Sequence, residues 1–339
     1  MALNPRTRGP RRTLWTFAAI IIALSAALLW GVWPIILKYI GHTPVEYFYI
    51  VIYTTSLIFI WIAGFALDGS ALIGNMSEVA AIAPIKVAAS FGTGVFYVAA
   101  SMLSMNVMQA IGLALSQPII SSINVLLGTA ISFLIGGVPQ NMTIGRIVLA
   151  CAFLVAAVFL TSLASRARRP ASRDEASHGK GEVTPRILIL TFFGALGGVF
   201  YSTGVAFSLK STTQPVGLSV MPFLCLLISG AWIGAMIICG SLMTRKKAWG
   251  MVKLVKPKLY AMITAASVVH YSGNILHAFA TRALSAGVSW PLGVTSGLWT
   301  QVWGLAYGEF KNASHKAYLY LSAGVACYLL GSAVIAHII

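Results

Sequence analysis

Long apolar runs alternate with short polar connections along nearly the whole chain. About 20 apolar residues cross a bilayer as a helix, and on that measure the pattern predicts ten spans. They lie near 14–39, 45–66, 82–104, 109–136 and 143–164, then near 186–209, 215–242, 256–279, 285–307 and 315–337. Residues 165–185 form the longest connection and the most polar one, and no connection is long enough for an independent soluble domain. Landmarks recur about 172 positions apart: Lys38, Pro84, Lys86, Tyr97 and Pro118 have counterparts in Lys210, Pro257, Lys258, Tyr271 and Pro291. Two odd-numbered copies in series must lie in the membrane in opposite orientations. The expected fold is an all-α integral membrane protein with ten transmembrane helices as two inverted five-helix repeats, residues 1–164 and 186–339.

Composition points the same way. Of the 339 residues 58% are hydrophobic and 9% charged, too few charges to cover a soluble surface. The net charge of +16 would suggest nucleic acid in a soluble protein, but here the basic residues sit between apolar runs, as membrane topology requires, and no nucleic-acid partner is expected. Fifteen of the 23 lysines and arginines fall on the side of the 165–185 connection and eight on the other. The positive-inside rule therefore places that connection in the cytoplasm, although the arginine-rich N-terminus argues for the reverse. The apolar run from Leu14 is too long for a signal-peptide core and is kept as the first span. Compact loops point to a cell membrane, multi-pass, of the bacterial inner-membrane type. Cys151, Cys225, Cys239 and Cys327 lie in apolar runs without metal-ligand spacing and are read as small core residues.

Polar groups enter the spans in a pattern. Gln117, Ser121, Asn124 and Gly128 share one helical face, and the corresponding face of the ninth span carries Trp290, Val294, Gly297 and Gln301. The two stripes should face one cavity; bonding to neighbouring helices is the alternative for each residue singly. On the eighth span His270, Asn274 and His277 share a face beside Tyr271, and the third span carries Tyr97 and Ser101. Ionisable groups at such depth face a bundle interior or water. A histidine bonded to a main-chain carbonyl is the plainer alternative, and a metal is not expected because no carboxylate or cysteine shares that face. Trp30 and Trp33, followed by Pro34, suit stacking against a flat or ring-shaped solute, unless they form an interfacial belt. The glycines Gly92, Gly94, Gly194, Gly197, Gly198, Gly293, Gly297 and Gly304 are read as helix packing.

The seven carboxylates complete the reading. Asp68, Glu78, Asp174, Glu175 and Glu182 belong to loops, and Glu46 and Glu309 to span ends, so no acid lies at mid-membrane. A cationic substrate or a hydrolase mechanism would need one there. The pattern therefore points to a carrier for a neutral polar solute, not an enzyme, with no cofactor. Protons, if coupled, would pass through His270, His277, or Glu46 paired with Lys38. Tryptophans 30, 33, 290, 299 and 303 read as an aromatic pinch, which separates a carrier from a channel.

Four segments carry a resemblance: Gly31-Val32-Trp33-Pro34, the run Ile111 to Gly137, Gly273-Asn274, and Gly308 to Leu321 with its Gly308-Glu309-Phe310 followed by basic residues. The chain resembles the ureide permease and glucose/ribose and rhamnose porter branch of the drug/metabolite transporter superfamily. That resemblance implies ten helices in two inverted repeats, a site lined by spans 1 to 4 and 6 to 9, peripheral fifth and tenth helices, and a cytoplasmic central loop. It also implies proton-driven uptake of allantoin-like heterocycles or of a sugar; export of amino acids or other metabolites is the alternative. Expected solute contacts are Trp30, Trp33, Tyr97, Gln117, Ser121, Asn124, Tyr201, Tyr271, Asn274, Trp290 and Gln301. His270, His277, Lys38, Glu46 and Glu309 are expected in coupling or gating, with Glu309 a gate or helix cap more than a ligand. Expected partners are the solute, the lipid bilayer and protons, in a monomer or homodimer.

Overall fold

A computed structural model describes residues 10–41, 43–136, 143–167 and 183–335. These form twelve α-helices: α1 (Pro10–Val32), α2 (Val45–Asp68), α3 (Ala71–Ile82), α4 (Pro84–Ile111), α5 (Leu113–Gly136), α6 (Ile144–Ala167), α7 (Pro185–Ser208), α8 (Val220–Arg245), α9 (Pro257–Leu284), α10 (Ala286–Val294), α11 (Ser296–Ala306) and α12 (His315–Ile335). A 3-10 turn, Trp33–Lys38, continues α1, and a second, Ala248–Leu254, joins α8 to α9. Local chemistry sets several of the starts. Prolines open α4, α7 and α9, where the missing N–H has no helical partner to lose, and Thr184 caps α7 by accepting from the Ile187 N–H.

Seven helices among the described residues are long and apolar enough to cross a membrane: Trp15–Lys38, Val45–Asp68, Pro84–Ile111, Leu113–Ile135, Pro185–Ser208, Val220–Arg245 and His315–Val334. The chain is a multi-pass α-helical membrane protein, but not ten transmembrane helices in two inverted five-helix repeats. Three expected spans account for the difference. The fifth becomes α6, in which the apolar stretch among the described residues, Val148–Ala164, is shorter than a crossing helix. The eighth becomes α9, whose His270, Asn274, His277, Lys258 and Arg282 make it too polar to count. The ninth breaks at Thr295 into α10 and α11, 9 and 11 residues long. In addition α3 forms where a loop was expected, so that Glu78 is helical. Of the expected 165–185 connection, residues 168–182 lie outside the described residues, and so do Asp174, Glu175 and Glu182.

Packing contacts run in a closed ring: α1 on α9, α9 on α2, α2 on α8, α8 on α4, α4 on α7, α7 on α5, α5 on α11, and α11 back on α1. Helices α6 and α12 pack on each other outside this ring, against α5. The α4–α8 contact brings two backbones together. A Cβ at Gly94 would lie 2.0 Å from the Leu227 carbonyl oxygen, and one at Gly230 would lie 1.9 Å from that of Phe91. Gly92, also expected at a helix contact, instead has nothing within 4 Å of where its Cβ would be.

The α10–α11 break has an internal remedy. Ending α10 frees carbonyls inside an apolar bundle, where an unpaired backbone group is costly. The Val294 carbonyl accepts from the Tyr328 hydroxyl of α12 at 2.6 Å, and that of Leu292 from the Thr295 hydroxyl at 2.5 Å. The cysteines agree only partly with a core reading: Cys225 and Cys239 are buried, whereas Cys151 and Cys327 are partly exposed.

Gly94→Ala and Gly230→Ala are expected to lower the melting temperature of the detergent-purified protein by several degrees, the effect of overpacking a tight contact. Gly92→Ala should leave it unchanged; equal melting of all three would contradict the α4–α8 contact.

Candidate functional site

The ring encloses a cavity of about 140 Å³. A single water needs roughly 10–15 Å³ on the same measure, so the space suits a small solute on the order of ten heavy atoms. Its wall draws on α1, the Trp33–Lys38 turn, α2, α4, α5, α7, α9, α10 and α11. Ten expected site residues line it: Trp30, Trp33, Tyr97, Gln117, Ser121, Asn124, Tyr201, His270, Asn274 and Trp290.

Helical spacing brings the polar stripe of α5 into the wall, and proximity to α10 and α11 fixes it. The Trp290 Nε1 donates to the Asn124 main-chain carbonyl at 3.0 Å, and Ser121 fits against Gly297, where a Cβ would meet its hydroxyl at 2.2 Å. The two stripes thus touch each other along one side of the cavity. Gly128 and Gly297 serve that contact, while Gln117, Ser121, Asn124, Trp290 and Val294 also reach the cavity. Across it, the Trp30 Nε1 donates to Asn274 Oδ1 at 2.7 Å. That bond engages the amide oxygen and leaves the Asn274 amide hydrogens without a partner among the described residues.

Aromatic rings close one flank. Trp30, Tyr201, His277 and Trp290 form a cluster in which every pair of ring centroids lies between 4.9 and 6.4 Å. His277 sits within this cluster behind the cavity wall, 3.3 Å from the Tyr201 hydroxyl. His270 belongs to a different group: its ring lies 4.7 Å from Trp33 and stacks on Tyr271, and its Nε2 is 3.3 Å from the Tyr97 hydroxyl. Tyr271 borders a much smaller neighbouring void with Phe48 and Tyr53. Gln301 is buried but does not reach the cavity. Trp299 and Trp303 are largely exposed, so the aromatic constriction consists of Trp30, Trp33 and Trp290 with Tyr201. Among the described residues no three His, Cys, Asp or Glu side chains group as metal ligands.

The wall also holds residues the pattern did not single out as contacts. Tyr49, Ser104, Met105, Met108, Ser296 and Thr300 line it, as do Ser101 and Pro34. Ser101 and Ser104 follow Tyr97 at helical spacing and were recognisable on that ground; Met105 and Met108 carry no signal apart from ordinary apolar packing. Gly194, Gly197 and Gly198 both pack and line. A Cβ at Gly194 would lie 2.6 Å from the Ser104 nitrogen, and one at Gly198 would lie 2.5 Å from Asn124 Oδ1.

Two ion pairs lie at one end of the ring. Lys38 pairs with Glu309 at 2.5 Å, and Glu46 pairs with Lys246 at 2.6 Å, so the expected Glu46–Lys38 pair does not form. Beside them the hydroxyls of Tyr39 and Tyr307 meet at 2.5 Å, as do those of Tyr47 and Tyr260. The Tyr39 hydrogen bond holds the Tyr307 phenol above its ordinary pKa, so it stays protonated at neutral pH. Glu309 has a second task. It accepts from the N–H groups of Leu113 at 2.9 Å and Ala114 at 2.7 Å, the open N-terminus of α5 one turn before Gln117. Its carboxylate reaches them because Gly112, at φ 85°, and Gly304 have no side chain there; a Cβ would meet it at 2.6 and 2.9 Å.

Among the described residues no Asp, Glu, Lys or Arg lines the cavity. An ionised solute would therefore lie in low dielectric without a counter-charge, which is costly. A neutral ring with hydrogen-bonding edges meets aromatic faces, amides and hydroxyls.

No family model and no curated protein matches the chain. A solved structure described as "Crystal structure of protein" is similar over 95% of this chain and 97% of its own, with a TM-score of 0.57 and 16% identity. At that identity the likeness speaks to the fold alone.

Glu309→Ala is expected to destabilise the protein more than Lys38→Ala. The first strips two helix N–H groups of their acceptor, at about 1–3 kcal/mol, whereas the second removes one half-exposed partner. Melting curves of the two variants decide it, and a larger loss in Lys38→Ala would refute the capping role.

Proposed function

We propose that the protein is a secondary carrier that moves a small neutral polar solute across the membrane by alternating access. The observation that carries this reading is the central cavity itself, walled by aromatic rings, amides and hydroxyls and by no formal charge among the described residues. Asn124 Oδ1 and His270 Nδ1 are buried without a hydrogen-bond partner among the described residues. Nine other buried side-chain atoms are unpaired as well, among them the Tyr271 hydroxyl and His277 Nε2, and a solute toward which Asn124 or His270 turned would supply the partner that buried polar atoms nearly always have. Asn274 offers donors to the same space, and Trp30, Trp33, Tyr97, Tyr201 and Trp290 offer ring faces.

A ureide, a nucleobase-like heterocycle or a sugar has the size and the mixed donor–acceptor edge for this wall. The segments around Trp33-Pro34, Gln117 and Gly308-Glu309 support that class by their resemblance to ureide and sugar permeases. The wall supplies stacking and hydrogen-bonding groups with no carboxylate beside a nucleophile, which supports a carrier over an enzyme. The clasp of Lys38–Glu309, Tyr39–Tyr307, Glu46–Lys246 and Tyr47–Tyr260 supports a gate at one end, with the Trp30, Tyr201, His277 and Trp290 cluster as its counterpart. His270, in contact with both the cavity and Tyr97, is the group best placed to take up a proton if uptake is proton-driven. The lysines and arginines gathered at the clasped end support placing that end in the cytoplasm of a bacterial cell.

A thermal-shift screen of the purified protein against ureides, nucleobases, sugars and amino acids should show stabilisation by one neutral class, since a ligand bound only to the folded state raises its stability. Asn124→Ala and Asn274→Ala should each weaken that ligand about tenfold while the protein still inserts. Unchanged transport in both variants would remove the amides from the site, and a response to charged amino acids alone would favour an exporter.

A further inference from the structure

A second void, about 560 Å³, opens at the clasped end of the ring and shares no lining residue with the central cavity. It lies between Tyr39, Ile40, Gly41 and Thr43, on the connection from α1 to α2, and the segment that joins α8 to α9. Because α1, α2 and α8 are membrane-crossing helices that end there, the void sits at the level where the bilayer meets water.

Its two kinds of wall want different things. Ile40, Leu254, Leu259 and Met262 give it an apolar floor, while Lys256 and Lys258 stand at its border, exposed and in no ion pair among the described residues. They belong to a run in which Arg245, Lys246, Lys247, Lys253, Lys256 and Lys258 fall within residues 245–258, and of these only Lys246 has a carboxylate partner among the described residues. Between them Trp249 is 45% exposed and Leu254 77% exposed. Exposed tryptophan and leucine alternating with lysine suit a segment lying in the headgroup layer. A free anion would satisfy the lysines and leave the floor wet. A zwitterionic lipid would cover the floor and leave the lysines without net counter-charge.

We propose that this void is a binding site for an anionic phospholipid, with its phosphate held by Lys256 and Lys258 and the start of an acyl chain laid over Leu254, Leu259 and Met262. The site adjoins the gate. Tyr39 forms part of its wall and is also the hydroxyl partner of Tyr307, one residue from the Lys38–Glu309 pair. A lipid bridging Tyr39, Ile40 and Thr43 and the α8–α9 segment therefore favours the clasped arrangement.

The test is native mass spectrometry and thermal melting of the delipidated full chain, titrated with phosphatidylglycerol, with phosphatidylcholine of the same acyl chains, and with inorganic phosphate. Phosphatidylglycerol should bind about 25-fold more tightly than phosphatidylcholine and raise the melting temperature more. Lys256→Gln with Lys258→Gln should lose that preference, at about fivefold for each lysine, whereas Lys256→Arg with Lys258→Arg and the distant Lys316→Gln should keep it. The preference should also shrink at high salt. Equal binding of the two lipids, a preference that survives the double glutamine variant, or inorganic phosphate displacing the lipid at equal concentration would each overturn the proposal.

Discussion

Polar groups inside a bundle surrounded by lipid must find their partners within the protein, and this requirement orders the interior of the ring. Where the helical ladder is intact the backbone meets it unaided. Where it is broken, at Thr295, a tyrosine from α12 and the threonine itself take the freed carbonyls. Where two helices meet end to end, at Gly112, a carboxylate from a distant loop takes the open N–H groups of α5. Eleven buried side-chain atoms are left over among the described residues, and of these Asn124 Oδ1 and His270 Nδ1 belong to residues that line the cavity.

The same rule separates charge from chemistry. The Lys38–Glu309 and Glu46–Lys246 pairs lie at one end of the ring, reached by solvent on the lysine side. Among the described residues the cavity wall keeps hydrogen-bonding groups without formal charge and the imidazole of His270. Neither sign of charge is compensated there, so an ion placed in the cavity would lie without a counter-charge. The charged end can change its contacts without exposing an unpaired ion to lipid, which is what a gate requires.

Glu309 shows how one residue can join both regions. As a partner of Lys38 it belongs to the closed end, and as the cap of α5 it fixes the helix that carries Gln117, Ser121 and Asn124. Opening the ion pair would leave the cap in place, so the end contacts and the wall of the cavity are linked through a rigid element. Trp30 plays a similar part on the other flank, bonded to Asn274 and packed into the Trp30, Tyr201, His277 and Trp290 cluster.

Much of the site could be read from spacing. Gln117, Ser121 and Asn124 fall on one helical face whatever the helix packs against, and Trp30, Trp33, Tyr97, Asn274 and Trp290 are polar or aromatic groups that an apolar run would otherwise lack. Membrane character follows from hydropathy alone. Partners, depth and continuity did not follow, because each depends on residues hundreds of positions away. Periodicity cannot see that Thr295 splits an apolar run in two, that Glu78 lies in a helix, or that seven helices among the described residues are long and apolar enough to cross a membrane. Nor can it choose between Lys38 and Lys246 for Glu46, or place Gln301 behind the wall that Gln117 lines. What the sequence determined by itself was which faces are polar, since that is a property of helical pitch. The tertiary structure decided which of those faces meet, since that depends on backbone approach at glycines and on which distant group satisfies each buried donor and acceptor.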